Sequence, residues 1–488
     1  MEQARSESSF IPKLGALDVI AISVAGVAPT LSMSLGPQQP EMHVGRAVPL
    51  VFALGTIVML LVGWCFARLA RSYPNAGSAY GYAASALGPR WGLIGGWALL
   101  GTYMAFALSG VTGCGLFGAN LAARLDAAWQ PSDLAITTMA ILATGILSLF
   151  PARNSILILI VVEGTAILVM IVMSAVVLWN VTHGGGPAKH VPLRDLFIPS
   201  PGTGISEIAL AMSFVVLSFG GFEQAATLGE EVKKARRIIP RVLIATILSV
   251  GLLYTLITAA EIAGFGGGKT NIHRFLSSTS LLADLSSAYF GAWFGDFLDV
   301  LATISAFGCA LAPILASSRI LFAMFRDVNP RSLIGSVSQR SGTPRHATAL
   351  LMLSMVLIYL LLKIACHGTA DDIFFWTSTF SALTLLSVYL LVVFAASRSL
   401  AGSHTPFRKL KQIIPTMAAL AMAYTLWTCL VAPAQGAYRY IPWLALLWVL
   451  LPLVAVVAYP DLAEKVAKGL LRVGHSEPEL SVGKAELT

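Results

Sequence analysis

Long apolar runs separated by short polar segments dominate the chain from residue 14 onward. A helix needs ~20 mostly apolar residues to cross the hydrocarbon core of a bilayer. Twelve runs approach or exceed that length, at 14–37, 48–69, 92–121, 134–150, 156–181, 208–228, 242–263, 297–324, 347–366, 373–396, 413–431 and 441–459. The pattern predicts an all-α integral membrane protein of 12 transmembrane helices. The third and eighth runs are longer than a crossing requires, which predicts tilt. Residues 271–287 are polar enough for an outer loop with a short interfacial helix.

Composition supports the same solvent. Of the 488 residues, 56% are hydrophobic and 11% are charged, and the mean hydropathy is +0.78. Soluble domains carry about 25% charged residues, and a water-borne chain of this size would divide into domains with polar shells. Residues 1–9 are polar and mixed in charge, and the first run is too long for a signal core, so it is expected to be a crossing rather than a cleaved leader. The net charge of +8 is spread over loops, which excludes a nucleic-acid surface. About three-quarters of the 32 Lys and Arg residues fall on one side if the N-terminus is cytoplasmic. The expectation is therefore a plasma (inner) membrane protein with both termini cytoplasmic. Cys65, Cys114, Cys309, Cys366 and Cys429 form no CxxC pair, and the histidines show no ligand spacing, so no metal and no cofactor are expected.

Two runs contain helix breakers. In the first, Gly26 and Pro29 interrupt an apolar stretch; in the sixth, Gly220 and Gly221 precede Glu223. Each alone is compatible with a kink or a close-packing site. They nevertheless stand at the head of helices 1–5 and of helices 6–10, and interrupted helices in matching positions point to a transport site. Freed N–H groups of one half-helix suit a carboxylate, and freed C=O groups of the other suit an ammonium.

At these residues the chain resembles the amino acid–polyamine–organocation (APC) permease superfamily. The resemblance rests on Asp18 before the first break, on SYPNAGSAY at 72–80 with Gly88-Pro89 and Gly96-Trp97, and on Gly221-Phe222-Glu223. It continues through Gly229-Glu230-Glu231 and Ile239-Pro240-Arg241, then Ser318-Arg319, Arg326-Asp327 and Thr343-Pro344. It implies a 5+5 inverted repeat of LeuT type, with helices 1–5 in 14–181 and helices 6–10 in 207–396. Helices 11 and 12 would occupy 413–459, between cytoplasmic tails at 1–13 and 460–488. It also implies alternating access, with substrate held between helices 1, 3, 6, 8 and 10. Carried over, the carboxylate meets donors around Val27, Ala28, Thr30 and Leu31, with Ser32 nearby, and the amino group meets carbonyls around Ser218, Phe219 and Gly220, beside Gly221. Pro29 stands where the family's glycine-rich break offers a donor, which keeps a non-carboxylate amine open as substrate.

Glu163 lies ~10 Å into the fifth run at 1.5 Å per residue, where a charge costs ~2.5–3.5 kcal/mol. It is the candidate to bind the coupling proton or cation, against the reading of a neutral hydrogen-bonded core carboxyl. Relatives that do not use sodium often place a lysine near this position. Glu223 either anchors the broken sixth helix or titrates during transport. Tyr103, Ser305 and Cys309 are candidate pocket walls, although such residues also pack helices closely. With Glu163 and Glu223 taken as the acidic groups available at depth, the expected cargo is a neutral amino acid or a monoamine rather than a polyamine.

The expected function is a secondary active transporter of amino acids or related amines, coupled to H+ by symport, in a lipid bilayer. An exchanger is the alternative in the same class, and oligomeric state is open. A membrane enzyme would want HExxH, GxSxG or a nucleotide loop, and a channel a filter repeated about an axis; neither pattern is present.

Overall fold

The first helix forms because residues 16–27 are mostly apolar and contain no proline; it carries Gly26 in its last turn and stops where Pro29 cannot donate an amide. This computed structural model describes residues 14–73, 76–125, 131–150, 152–185, 192–266, 269–338, 342–402, 408–432, 436–459 and 461–474. The expected tail at 1–13, the end of the other tail from 475, and Pro74 and Asn75 of the 72–80 motif lie outside the described residues. So do Arg5, Lys13, Arg340 and Lys484 of the charge count.

Helix α1 (Ala16–Val27) and α2 (Pro29–Leu35) are separated by Ala28 alone, in the left-handed region at φ 45°. Proline at the first position of α2 suits a helix start, because its missing N–H has no partner there anyway. Next come α3 (Gln38–Val44), α4 (Val48–Ser72), α5 (Ala79–Leu87), α6 (Pro89–Arg124), α7 (Asp133–Ser148) and α8 (Ala152–Thr182). Helix α9 (Ile205–Phe219) bends by 41° into a 3-10 turn (Phe222–Leu228). The second half continues with α10 (Ala235–Phe265), α11 (Lys269–Leu276), α12 (Leu281–Phe290), α13 (Ala292–Val328), α14 (Arg345–Leu360) and α15 (Ala370–Ala401). The remaining helices are α16 (Arg408–Lys411), α17 (Ile413–Val431), α18 (Ile441–Ala458) and α19 (Asp461–Gly474).

Among the described residues, ten helices are long and apolar enough to cross a membrane, and the bent α9 pair makes eleven. The fourth run, expected to cross like the others, forms a helix of 16 residues, ~24 Å long at 1.5 Å per residue against a hydrocarbon core of ~30 Å. The segment at 271–287 holds parts of two short helices, α11 and α12, rather than one.

The longest helices, α6 and α13, pack on each other at the centre, and α15 closes against α6. Gly110 makes the first pairing possible: a Cβ there would reach the Ala310 amide nitrogen at 2.5 Å. Helices α14, α17 and α18 lie outside, with Leu353, Leu357, Leu420, Trp427, Leu447 and Val457 exposed. An apolar outer face of this extent is stable only in lipid, so the chain is a multi-pass membrane protein. Both described termini meet one end of the bundle. Leu14 donates its N–H to Glu231 O at 3.0 Å, and α19 reaches Asp327 with Gly469. We call this the terminal end.

Candidate functional site

The two interruptions face each other. Gly221 takes φ +108°, and a Cβ on it would run into the backbone of Gly26. A Cβ on Gly26 would in turn meet Gly221 O at 2.9 Å. Only glycine allows both the left-handed backbone and this approach. The Ser23 hydroxyl donates to Phe222 O at 3.0 Å, tying the same segments together. Gly220, adjoining this contact, sits with Phe219 in the buried interior.

Glu223 is fully buried and accepts from three donors: the Gly221 amide at 3.1 Å, the Tyr103 hydroxyl at 3.2 Å and the Tyr389 hydroxyl at 2.9 Å. The carboxyl thus joins the bend after α9 to α6 and α15. Tyr103, read from sequence as a pocket wall, points its hydroxyl at this carboxyl instead. Tyr389 was not anticipated; its only sequence signal is a hydroxyl within an aliphatic stretch of the tenth run.

Glu163 is 1% exposed on α8, and neither carboxyl oxygen has a hydrogen-bond partner. The hydroxyls of Thr30 and Ser305 stand beside it without completing a bond, and Tyr254 and Cys309 are close enough to interact. Ser305 is engaged elsewhere, accepting the Leu31 amide at 3.3 Å, while Thr30 Oγ1 is unpartnered. The carboxyl therefore faces the start of α2 and the middle of α13, among oxygens able to share a proton or a small monovalent cation. Among the described residues no group of His, Cys, Asp and Glu side chains is arranged to hold a metal ion.

A cavity of about 660 Å³, counted with its open mouth, begins at the break and extends away from the terminal end. Of the expected site residues, Val27, Leu31, Ser32, Ser218 and Cys309 line it. Ala28, Thr30, Tyr103, Phe219, Gly220, Gly221 and Ser305 do not. The Ala28 amide closes on Val24 O at 3.0 Å, and the Ser32 hydroxyl donates to Val27 O at 3.0 Å. The unanticipated lining includes Phe106 and Ser109 on α6, Phe214 on α9, and Phe374, Phe375, Ser378 and Thr379 on α15. Ser109 and the Ser378–Thr379 pair were legible as hydroxyls inside apolar runs. Among the described residues, none that lines the cavity carries a full charge.

The terminal end is shut by ion pairs. Arg319, 1% exposed, binds both carboxylate oxygens of Glu231 and the Leu315 carbonyl. Arg326 binds both oxygens of Glu230 at 2.8 and 3.2 Å and Asp327 at 3.1 Å. Asp327 accepts from the Tyr80 hydroxyl at 2.9 Å, and Glu230 from the Ala76 amide at 3.1 Å. Three stretches that carried the family resemblance, around residues 72–80, 229–231 and 318–327, thus meet in one cluster.

The count of two deep carboxyls was incomplete. Glu261 on α10 and Asp299 on α13 are also fully buried within spanning helices. Both fall inside runs read as apolar throughout, where single acids barely lower the mean hydropathy. Asp299 has partners in Asn120 at 2.8 Å and Arg124 at 3.6 Å, whereas Glu261 has none.

Comparison with known proteins places the chain in a family. The profile of the family described as "Amino acid permease" matches residues 18–459. The chain is similar to the low-affinity putrescine importer PlaP of Escherichia coli, 25% identical over 300 residues, covering 61% of this chain and 63% of the importer. It is also similar to the branched-chain amino acid permease BcaP of Lactococcus lactis, 26% identical over 365 residues, covering 70% and 74%. A third relative is the mitochondrial cationic amino acid transporter 3 of Arabidopsis thaliana, 23% identical over 366 residues, covering 72% and 57%. The chain thus spans under two-thirds of the length of the putrescine importer it matches.

Proposed function

Because the chain belongs to the amino acid permease family, we propose that it is a secondary active transporter carrying an amino acid or a related monoamine by alternating access, with H+ as the coupling ion. The carrying observation is the pair of interrupted helices locked glycine to glycine beside a cavity, with the unpartnered Glu163 carboxyl behind the break. Named relatives take up putrescine in one case and branched-chain amino acids in another. The uncharged lining favours a neutral zwitterion or a monoamine over a diamine, since a second ammonium would find no carboxylate there. Ser32, Ser109, Ser218 and Ser378 would meet the polar groups of the substrate, and Phe106, Phe214, Phe374 and Phe375 its apolar body. Leu31 lines the cavity, while Ala28, Thr30 and the 219–221 backbone lie behind the lining and would move with the breaks.

In this reading the twelve crossings are α1–α2, α4, α6, α7, α8, α9 with its 3-10 turn, α10, α13, α14, α15, α17 and α18, the first ten forming two inverted fives. Both termini are cytoplasmic in a plasma membrane, following the Lys and Arg bias. The terminal end is then the cytoplasmic gate, closed here, and the cavity faces outward. Uptake of labelled amino acids and amines into proteoliposomes tests the proposal. Acid outside is expected to drive accumulation, and preloaded unlabelled substrate to drive counterflow. Absence of counterflow for every compound in folded protein overturns it.

The gate gives a separate expectation. Removing one partner of a buried ion pair costs about 3–5 kcal/mol. Arg326→Ala is therefore expected to open the cytoplasmic end, raising hydrogen exchange in α5 by tenfold or more while leaving α9 unchanged. Equal exchange in both proteins would remove Glu230 and Asp327 from the gate.

A further inference from the structure

Glu261 is not used by the mechanism above, yet it is the side chain whose burial is hardest to explain. It is 0% exposed, and both carboxyl oxygens lack a partner. It lies one turn from the non-terminal end of α10, four residues before Phe265. It shares a face with Tyr254 and Thr258 at helical spacing. Tyr254 donates its hydroxyl to Ser218 O at 3.1 Å, so this face looks onto the broken helices.

Helix α8 runs beside α10 in the same direction. Tyr254 interacts with Glu163, and a Cβ on Gly264 would meet Val177 Cγ1 at 2.8 Å. One turn back from Gly264 and Val177 sets Glu261 level with Ser174. Ser174 is also fully buried, and its hydroxyl is unpartnered. Ser34, on α2 packed against both helices, is a third buried hydroxyl without a partner.

Among the described residues no charge compensates the carboxyl. Asp284 on α12 is held by Arg124 and Ser278, and Glu223 by its three donors. Arg194 pairs with Asp195 in the 3-10 turn Leu193–Phe197, and Glu207 caps α9. Asp18 caps α1, and Arg68 and Arg71 lie at the terminal end of α4. His273 and Arg274 belong to the exposed face of α11, and Tyr289 on α12 donates to Gly264 O. None of them bonds to Glu261. A buried carboxylate without a partner bears its full desolvation cost, so this closed packing accepts the neutral acid only.

We propose that Glu261, with Ser174 and Ser34 around it, is a second proton-binding site on the outer side of the bundle, separate from Glu163. The inference rests on the transport reading and adds a proton to it. Hydronium reaching the site when α8 and α10 part gives its proton to a Glu261 carboxylate oxygen and leaves water. The two helices then pack around the neutral group, and the proton is carried with the substrate.

The test is the limiting accumulation of a neutral substrate in proteoliposomes at a pH difference of one unit, with the membrane potential clamped at zero. Each coupled proton multiplies that ratio about tenfold. The wild type is expected to reach about a hundredfold and Glu261→Gln about tenfold, with counterflow intact in both. A wild-type ratio of about tenfold, or an unchanged ratio in Glu261→Gln, overturns the second site and leaves the carrier reading standing. Wild-type protein without counterflow overturns both. Accumulation that follows sodium, and loses that dependence in Glu261→Gln, overturns the proton assignment. Glu261→Asp keeps a carboxyl and serves if the amide fails to fold: it is expected to hold the wild-type ratio with a displaced pH midpoint, and an undisplaced midpoint counts against the site.

Discussion

Gly221→Ala is expected to abolish transport and sharply reduce the yield of folded protein. Two penalties act at one atom. The backbone at φ +108° lies where L side chains are strained, which costs of order 1–3 kcal/mol. The added methyl would also enter the backbone of Gly26, and backbone cannot swing aside as a flexible side chain can. Relief would require the two breaks to separate, which also loosens the Ser23–Phe222 bond and displaces Glu223, whose Gly221 amide donor moves with the chain. Gly164→Ala is the control. That glycine lies on an exposed face of α8 with nothing within 4 Å of a new Cβ, and alanine there gains about 1 kcal/mol of helix propensity. Thermal unfolding in detergent and counterflow in liposomes check the pair. A Gly221→Ala protein with wild-type melting and counterflow would show that the close approach is dispensable.

Much of this frame was legible before the structure because lipid imposes a blunt requirement on sequence. A crossing must be apolar over its length, and an interruption must be buried or line a cavity; Pro29 and Gly220–Gly221 therefore stood out. What packs against what was not legible. The Lys and Arg near the terminal end read as a topological bias, yet Arg319 and Arg326 are buried and paired with Glu231 and Glu230 across some ninety residues of chain. The carboxylates at 230 and 231 were visible as a motif, but nothing in the spacing tells which arginine each one meets. Tyr389 escaped notice for the same reason, since a hydroxyl acquires meaning only once Glu223 is brought against it. Glu163 stands out in the sequence as an acid far inside a run, and it is buried, whereas Glu261 and Asp299 are averaged away inside apolar windows. Hydropathy ranks segments, and single polar atoms in them are weighed only by the partners that folding supplies.

Glu163→Gln is expected to combine a large effect on coupling with a small structural one. The substitution keeps shape and neutral hydrogen bonding but removes the ability to take up and release a proton. Folding and counterflow are expected to survive, because the site already tolerates Glu163 without a hydrogen-bond partner. Limiting accumulation should fall about tenfold per pH unit of imposed gradient, the factor carried by one coupled proton. The position of the carboxyl adds a second signature. It stands beside Thr30 and Ser305, and Ser305 accepts the Leu31 amide at the cavity wall. Ionisation there would pull the hydroxyls toward the carboxylate and change the wall that the substrate touches. Substrate affinity in the wild type should therefore strengthen or weaken with pH, and in Glu163→Gln it should become flat. Glu261→Gln should retain that pH dependence, because its carboxyl lies outside the cavity lining. Substrate binding followed by isothermal calorimetry across pH separates the two acids. A pH-dependent affinity that persists unchanged in Glu163→Gln would make it an ordinary buried carboxyl and leave coupling to another group.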